Sequence, residues 1–206
     1  VDHLCWMKGA FPIKAQAVGG RHYRETKEGR WVDQNFDAYA VEYSFADGTK
    51  MFFDGRCMPD CHIEYRSYAH GTKGAAIVSS NADCGLPSRI FKGQTTTDAD
   101  AIWTSEVRED QRDPYQNEWN SLIAAIIEDR PYNEVDTGVK TSLVTSMGRM
   151  AAHTGQEITY DEILNGEFEF APDVERMTED GPAPVMPDAD GLYPVPMPGL
   201  KGKREY

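Results

Sequence analysis

Residues 113–164 decide the fold of this chain, and they read DPYQNEWNSLIAAIIEDRPYNEVDTGVKTSLVTSMGRMAAHTGQEITYDEIL. Asp113 is the predicted cap of a first helix, because Pro114 at the next position has no amide hydrogen to leave unpaired. The Arg130-Pro131 pair ends this helix, since proline disfavours helix at the residue before it. The predicted apolar stripe of the helix is Trp119, Leu122, Ile123 and Ile126.

Two more helices are predicted in the same stretch. Asn133 caps the second helix, and Gly155 closes it, because glycine readily adopts the left-handed conformation found at helix ends. The predicted apolar stripe of the second helix is Val139, Leu143, Met147 and Met150. Thr159 and Glu162 form a T-x-x-E capping box that begins a third, short helix. Helices this amphipathic need an apolar surface to cover.

The first half of the chain predicts β-strands. Residues 1–8 are expected to be the last turn of a helix that ends at Gly9, and residues 21–35 are expected to be a loop. Strands are predicted at 12–18, ended by Gly19-Gly20, at 39–45 and 50–54 as a hairpin around Asp47-Gly48, at 62–69 and 75–78 as a second hairpin, at 88–92, and at 101–107. Strands followed by helices indicate an α+β fold: an open, mostly antiparallel mixed sheet with helices packed on one face.

Composition divides the chain into two predicted parts. Residues 1–167 form the α+β domain, and residues 168–206 form an extended, Pro-rich C-terminal arm. Seven prolines between Pro172 and Pro198 preclude regular helix or sheet in the arm. A disordered tail is the alternative. Apolar residues favour an arm that lies along its own domain or a neighbouring subunit: Phe168, Phe170, Val185, Leu192, Tyr193 and Leu200.

Charge argues against two classes of partner. The formal net charge is −13, and no basic stripe is present, so nucleic acid and anionic membranes are not expected to bind. No apolar run approaches the roughly 20 residues of a membrane span. The first residues, Val1 to Leu4, include no initiator methionine and no signal-peptide pattern, so we expect a piece of a longer protein, either cytoplasmic or exported to the periplasm.

Several familiar motifs are missing from the sequence. It contains no G-x-G-x-x-G, no P-loop, no G-x-S-x-G elbow and no H-E-x-x-H. Cys57, Cys61, His62 and Cys84 include zinc-ligating types, but the spacing C-x3-C-H differs from the C-x2-C of structural zinc sites. We predict buried thiols without a metal.

Polar residues near predicted strand ends form the candidate binding site. Arginine and lysine donate to hydroxyl groups, carboxylates accept from them, and aromatic rings stack on the C–H surface of a sugar. The candidate substrate-binding residues are Arg21, His22, Asp37, Arg56, His70, Lys73, Tyr115 and Glu118. An ordinary solvated sheet edge is the alternative interpretation.

A resemblance to a known family rests on many short stretches in order. They include DHLCWMKGAFP (2–12), AQAVGGR (15–21), FDAYAVEYSFADGT (36–49), RCMPDC (56–61), HGTKG (70–74), YQNEWNSLIAAI (115–126), GRMAAHTGQEITYDEIL (148–164) and YPVPMPG (193–199). Together they resemble the C-terminal domain of the Gfo/Idh/MocA oxidoreductases, in their bacterial subgroup. The resemblance covers almost the whole chain.

The resemblance implies a function. It implies the substrate-binding and oligomerisation domain of an NAD(P)-dependent oxidoreductase acting on a sugar or sugar derivative, with NAD or NADP bound mainly by an N-terminal Rossmann domain that is missing here. No cofactor is then expected on this chain alone, and a homo-oligomer would form through the free face of the sheet. Asp2 matches the Asp of an H-x-x-D pattern and is the one catalytic residue implied. The alternatives are a carbohydrate-binding or structural module, or part of an NAD-dependent glycosidase.

Overall fold

The computed structural model describes residues 1–21, 35–80, 86–107, 112–167, 169, 171, 173–200, 202 and 205. The chain divides into two compact units, Val1–Pro59 with Val135–Tyr206, and Asp60–Glu134. The described α-helices are α1 (Asp2–Lys8), α2 (Pro114–Ile127), α3 (Val135–Thr154) and α4 (Tyr160–Leu164). The described strands are β1 (Lys14–Gly20), β2 (Ala38–Ser44), β3 (Lys50–Arg56), β4 (Arg66–Gly71), β5 (Gly74–Ser80), β6 (Arg89–Lys92), β7 (Ala101–Thr104) and β8 (Ile158–Thr159).

The predicted α+β fold with open antiparallel sheets is confirmed, and the strands form two sheets. The first unit holds the order β3-β2-β1-β8, and the second holds β4-β5-β6-β7. All neighbouring strands within each sheet are antiparallel. Both predicted hairpins are confirmed as β2–β3 and β4–β5, with Gly48 at φ 85° in the first turn. The predicted loop at 21–35 lies almost entirely outside the described residues.

The prediction that Gly19-Gly20 ends the first strand is wrong. Gly19 pairs with Tyr39, and Gly20 pairs with Ala38, so β1 continues through both glycines. A Cβ atom on Gly19 would lie 2.7 Å from the side chain of Phe36. Glycine stands here because the Phe36 ring packs over the strand at this point.

The predicted helix ends agree well with the structure. The Asp113 side chain accepts from the amides of Tyr115 and Gln116, and Thr159 forms the predicted capping box with Glu162. Gly155 after α3 has φ 70°. Gly9 after α1 has φ 68°. Boundaries shift slightly elsewhere: α3 begins at Val135, and α2 ends at Ile127, before the predicted Arg130-Pro131 stop.

The predicted buried face of α3 is rotated from the observed one. Helix α3 packs on β1 and β2, and its most buried residues include Val144, Met147, Gly148 and Ala151. Of the predicted stripe, Met147 is fully buried and Met150 packs against the core, whereas Val139 is 52% exposed. The short distance between helix and sheet explains this difference. A Cβ atom on Gly148 would lie 2.1 Å from the Tyr43 hydroxyl, so small residues are needed where the helix approaches the sheet.

Three of the four residues in the predicted stripe of α2 are exposed, and the fourth, Leu122, is half-buried. Trp119 is 60% exposed, Ile123 48% and Ile126 68%, whereas Ala125 is fully buried. Helical periodicity alone identified the large apolar residues, but a small residue occupies the most covered position. The large side chains therefore form an exposed surface on the second unit.

The C-terminal arm contacts helix α3 of the same unit at two described points. The Gly199 amide donates to the carbonyl of Thr154 at 2.9 Å, and Glu205 is 1% exposed. Within residues 173–200 the arm holds a single 3-10 turn, Val174–Arg176, and no α-helix or strand. The division at residue 167 stays a prediction. No helix of the described residues is long and apolar enough to cross a membrane.

Candidate functional site

Three of the predicted site residues meet at one end of the first sheet. Arg21 follows the last residue of β1, Asp37 precedes β2, and Arg56 is the last residue of β3. The strand register places Gly20, Ala38 and Arg56 in one cross-strand row. We call Arg21, Asp37 and Arg56 the rim cluster.

Backbone hydrogen bonds fix the middle residue of the rim cluster. The Asp37 amide donates to the carbonyl of Gly20 at 2.9 Å, and the Cys57 amide donates to the carbonyl of Asp37 at 2.9 Å. Asp37 is only 3% exposed, whereas Arg56 is exposed and Arg21 is half-buried. The sheet end thus holds one buried carboxylate between two strand ends that carry an arginine, and these groups can bind hydroxyl groups.

A buried polar network lies next to the rim cluster. The Phe36 amide donates to the Tyr39 hydroxyl at 2.9 Å, and that hydroxyl lies 2.8 Å from Nε2 of His153. The rings of Phe36 and His153 meet edge to face, with centroids 4.6 Å apart. His153 is fully buried near the end of α3.

The network continues to the C-terminal arm. Nδ1 of His153 lies 3.3 Å from Oε1 of Glu205, and Arg149 donates to Oε2 of the same carboxylate at 2.8 Å. Glu205 is therefore a buried carboxylate with a cationic partner, the arrangement that buried charges require. The polar chain from Phe36 to Arg149 joins the strand end, the long helix and the arm.

No sequence pattern predicted this network. Tyr39 lies in the predicted strand 39–45 and His153 in the predicted second helix, and neither was a candidate site residue. Arg149 and His153 stand four residues apart on one helix face, a spacing that places two side chains together. Glu205 gives no local signal, because its partner Arg149 lies 56 positions away in the chain.

The structure places Asp2 away from the rim cluster. Its Oδ1 accepts from the Thr141 hydroxyl at 2.7 Å. Thr141 precedes His153 by more than three turns of α3, which corresponds to about 18 Å along the helix axis. Asp2 therefore lies toward the opposite end of the helix, and its catalytic role stays a prediction.

His70 and Lys73 lie in the hairpin of the second unit. His70 Nδ1 lies 2.8 Å from the Gln94 side-chain oxygen, and Gln94 in turn donates to the carbonyl of Gly71 at 2.8 Å. Lys73 is exposed in the turn between β4 and β5. The predicted site residue His22 lies outside the described residues.

Tyr115 and Glu118 share one face of the first turn of α2. Both are exposed, Tyr115 by 68%, and its amide donates to the Asp113 cap at 3.0 Å. An exposed aromatic ring three residues from a carboxylate can contact a ligand. These two residues and the hairpin belong to the second unit, and the rim cluster belongs to the first.

The cysteines differ from the predicted buried thiols. Cys57 is exposed and Cys61 is partly exposed, whereas Cys5 is buried. Burial is the main cause that raises the pKa of the Cys5 thiol. Cys84 lies outside the described residues. Within the described ranges, no group of three His, Cys, Asp or Glu residues could hold a metal ion.

The face of the first sheet that α3 leaves uncovered forms a shallow depression. It has a volume of about 380 Å³ and is lined partly by Gln16, Val18, Glu42, Phe52 and Asp54. Phe52 is 66% exposed, and Val18 is 71% exposed. A 2.7 Å hydrogen bond from Lys50 lowers the pKa of Glu42. This face combines exposed apolar side chains with charges of both signs.

Comparisons with known proteins identify the fold. No protein-family model matches the chain, and no curated protein matches it. Solved structures do match. An aldose-aldose oxidoreductase from Caulobacter crescentus, in complex with glycerol, has a TM-score of 0.57 and 17% identity over 77% of this chain and 44% of that one. The chain shares the fold of part of this oxidoreductase.

Two further structures agree. An inferred NADPH-dependent oxidoreductase from Desulfitobacterium hafniense has a TM-score of 0.56 and 14% identity over 80% of this chain and 46% of that one. An inferred myo-inositol dehydrogenase from Sinorhizobium meliloti has a TM-score of 0.50 and 15% identity, over 77% and 46% respectively. All three neighbours are described as oxidoreductases or dehydrogenases, and the likeness to them is one of fold. The chain spans less than half the length of each.

Proposed function

We propose that this chain is the substrate-binding and oligomerisation part of an NAD(P)-dependent oxidoreductase acting on a sugar or sugar derivative. The observation that carries the proposal is the rim cluster, where Asp37 is buried between the strand ends that bear Arg21 and Arg56. The fold supports it, because the structural neighbours include an aldose-aldose oxidoreductase.

The cofactor would bind elsewhere in the parent protein. The sequence has no G-x-G-x-x-G turn, and the described residues offer no Gly-rich strand-to-helix turn to hold a pyrophosphate. We therefore do not expect this chain alone to bind the dinucleotide. Its contribution would be to bind and orient the substrate, which aligns the reacting atoms before chemistry begins.

Within the rim cluster each group would have a distinct task. The Asp37 carboxylate would accept hydrogen bonds from substrate hydroxyl groups, and the backbone bonds to Gly20 and Cys57 keep its position fixed. Arg21 and Arg56 would donate to hydroxyl or carboxylate oxygens of the substrate. His70, Lys73, Tyr115 and Glu118 would contact a ligand from the second unit, and the roles of His22 and Asp2 stay predictions.

Calorimetry on the 206-residue chain tests the binding role. We expect D-glucose or myo-inositol to bind and NAD⁺ and NADH to release no heat of binding. Asp37→Asn and Arg56→Gln should each weaken sugar binding about tenfold, since each removes a charged hydrogen-bonding group. Asp54→Asn on the uncovered sheet face is the matched control and should bind as the wild type does.

Each result of this experiment has a clear meaning. Micromolar binding of NAD⁺ or NADH to this chain would contradict the proposal. Sugar binding that is insensitive to both rim substitutions would also contradict it. If neither sugar binds, the chain is a structural module, and release of free sugar by the parent without net NADH would favour the glycosidase alternative.

The oligomer would form through the uncovered face of the first sheet. Phe52 and Val18 present exposed apolar area there, and such area favours association when it is contiguous. Lys14 pairs with Glu157 at 2.8 Å, and Lys50 pairs with Glu42 at 2.7 Å, so both signs of charge surround the apolar centre. A second copy related by a two-fold axis would meet complementary charges.

Sedimentation analysis tests the oligomer. Phe52→Lys should convert a dimer to a monomer, because the lysine places a charge in the apolar centre of the interface. Trp6→Lys is the control, since Trp6 is 80% exposed on α1, away from this face. A wild-type monomer, or a dimer that survives Phe52→Lys, would contradict this part of the proposal.

A further inference from the structure

The C-terminal arm reaches the rim cluster through three buried side chains. Glu205 lies 3.3 Å from Nδ1 of His153, and Nε2 of the same ring lies 2.8 Å from the Tyr39 hydroxyl. That hydroxyl accepts from the amide of Phe36, the residue before Asp37. A continuous polar path therefore connects the arm to the backbone of the rim.

The atoms that can donate a proton determine the direction of each hydrogen bond in this path. The Tyr39 hydroxyl oxygen accepts the Phe36 amide proton, so its own proton is available for Nε2 of His153. In a neutral ring the remaining proton then lies on Nδ1, which is 3.3 Å from Oε1 of Glu205, an ion-pair distance without hydrogen-bond alignment. The negative charge of Glu205 beside Nδ1 therefore favours the tautomer in which Nε2 of His153 can accept from Tyr39.

Burial makes this selection effective. His153 is fully buried and Glu205 is 1% exposed, so water cannot easily replace either partner. Arg149 supplies the positive charge that a buried carboxylate requires, with a hydrogen bond of 2.8 Å. The edge-to-face contact of Phe36 with the His153 ring holds the same backbone segment from a second side.

We propose that Glu205 and His153 are positioning residues, which act through Tyr39 to fix the backbone at Phe36 and Asp37 and so couple the C-terminal arm to the rim cluster. The functional consequence rests on the proposed substrate role of Asp37. The coupling itself does not, because it concerns the geometry of the chain without a ligand. The arm would be an integral part of the site.

Amide hydrogen exchange, measured by NMR on the full chain, tests the coupling. Glu205→Gln and Tyr39→Phe should each speed exchange of the Phe36 amide roughly fivefold or more, because the hydroxyl acceptor of that amide is misplaced or lost. The Ile13 amide, which donates to Ser44 at the opposite end of the same sheet, should be unchanged. Glu128→Gln, at an exposed ion pair with Arg130 in the second unit, is the matched control and should change neither amide.

Three results would overturn the proposal. Unchanged Phe36 exchange in Glu205→Gln would show that the arm does not position the rim. Equal acceleration at Phe36 and Ile13 would show general destabilisation instead of local coupling. Imidazole ¹⁵N shifts that place the ring proton of His153 on Nε2 would contradict the direction of the path.

Failure here is distinguishable from failure of the proposed function. If wild-type chain binds sugar at the rim but Glu205→Gln leaves Phe36 exchange unchanged, the function stands and the coupling is wrong. If Phe36 exchange accelerates but no sugar binds to the wild-type chain, the coupling stands and the proposed function is wrong.

Discussion

Gly148 of α3 lies directly against the hydroxyl end of Tyr43 on β2. A Cβ atom at Gly148 would be 2.1 Å from the Tyr43 oxygen and 2.8 Å from the ring carbon that bears it. Tyr43 is 2% exposed and belongs to the main apolar core. This contact sets how closely the long helix approaches the sheet.

Gly148→Ala should destabilise the protein by about 1 to 3 kcal/mol, because the added methyl group overpacks a rigid core contact. Gly138→Ala on the same helix is the matched control. No atom lies within 4 Å of a Cβ at that position, so alanine there should stabilise by about 0.5 to 1 kcal/mol. Denaturant unfolding measures both, and equal effects of the two substitutions would contradict the close approach.

Tyr43 should ionise at unusually high pH. Burial is the main cause that raises its pKa from 10.0 to about 12. Because the folded state holds the proton more tightly than the unfolded state, the contribution of Tyr43 to stability is complete below pH 10 and is lost between pH 10 and 12, by roughly 2 to 3 kcal/mol. Ultraviolet titration of wild type against Tyr43→Phe measures the pKa. A Tyr43 titration with its midpoint near pH 10 in the difference spectrum would refute the burial effect.

Thr159→Ala should cost about 1 kcal/mol of stability, since the Thr159 side chain caps α4 by accepting from the Glu162 amide. Thr145→Ala is a matched substitution within α3, where the exposed hydroxyl donates to the nearby Ser142 carbonyl. It should be neutral or slightly stabilising, because alanine has the higher helix propensity. Thermal unfolding of both variants provides the comparison. Unchanged stability in Thr159→Ala would contradict the capping role of Thr159.

The cysteines should differ strongly in reactivity. Cys57 is exposed, whereas Cys5 is buried with a raised thiol pKa, so an alkylating reagent should modify Cys57 much faster. Peptide mass mapping over time measures each rate. Cys57 directly follows Arg56, so a sugar bound at the rim cluster should slow its alkylation. Faster labelling of Cys5 than of Cys57 would contradict the described burial.

Local signals in the sequence predicted local structure well. Asp113 and Thr159 were identified as caps because cap chemistry depends on residues one to three positions away. The β2–β3 hairpin followed from alternation around Asp47-Gly48. The rim cluster follows from the same kind of local signal. Its three residues were chosen because each lies near a predicted strand end, and the sheet places these ends side by side.

Long-range contacts were beyond the sequence patterns. The buried face of α3 was predicted only in part, at Met147 and Met150, because periodicity favours large apolar residues, whereas the contact with Tyr43 requires glycine. The partnership of His153 with Glu205 depends on how the arm returns to the helix. No spacing of residues in the sequence predicts this return of the arm to the helix.

An NMR titration of the ¹⁵N-labelled chain with D-glucose and myo-inositol tests the central claim most directly. The account predicts amide shifts at Asp37 and Cys57 beside the rim cluster, their loss in Arg56→Gln, their retention in Asp54→Asn, and no shifts with NAD⁺. Sugar-induced shifts confined to other parts of the chain, or specific shifts with NAD⁺, would contradict it.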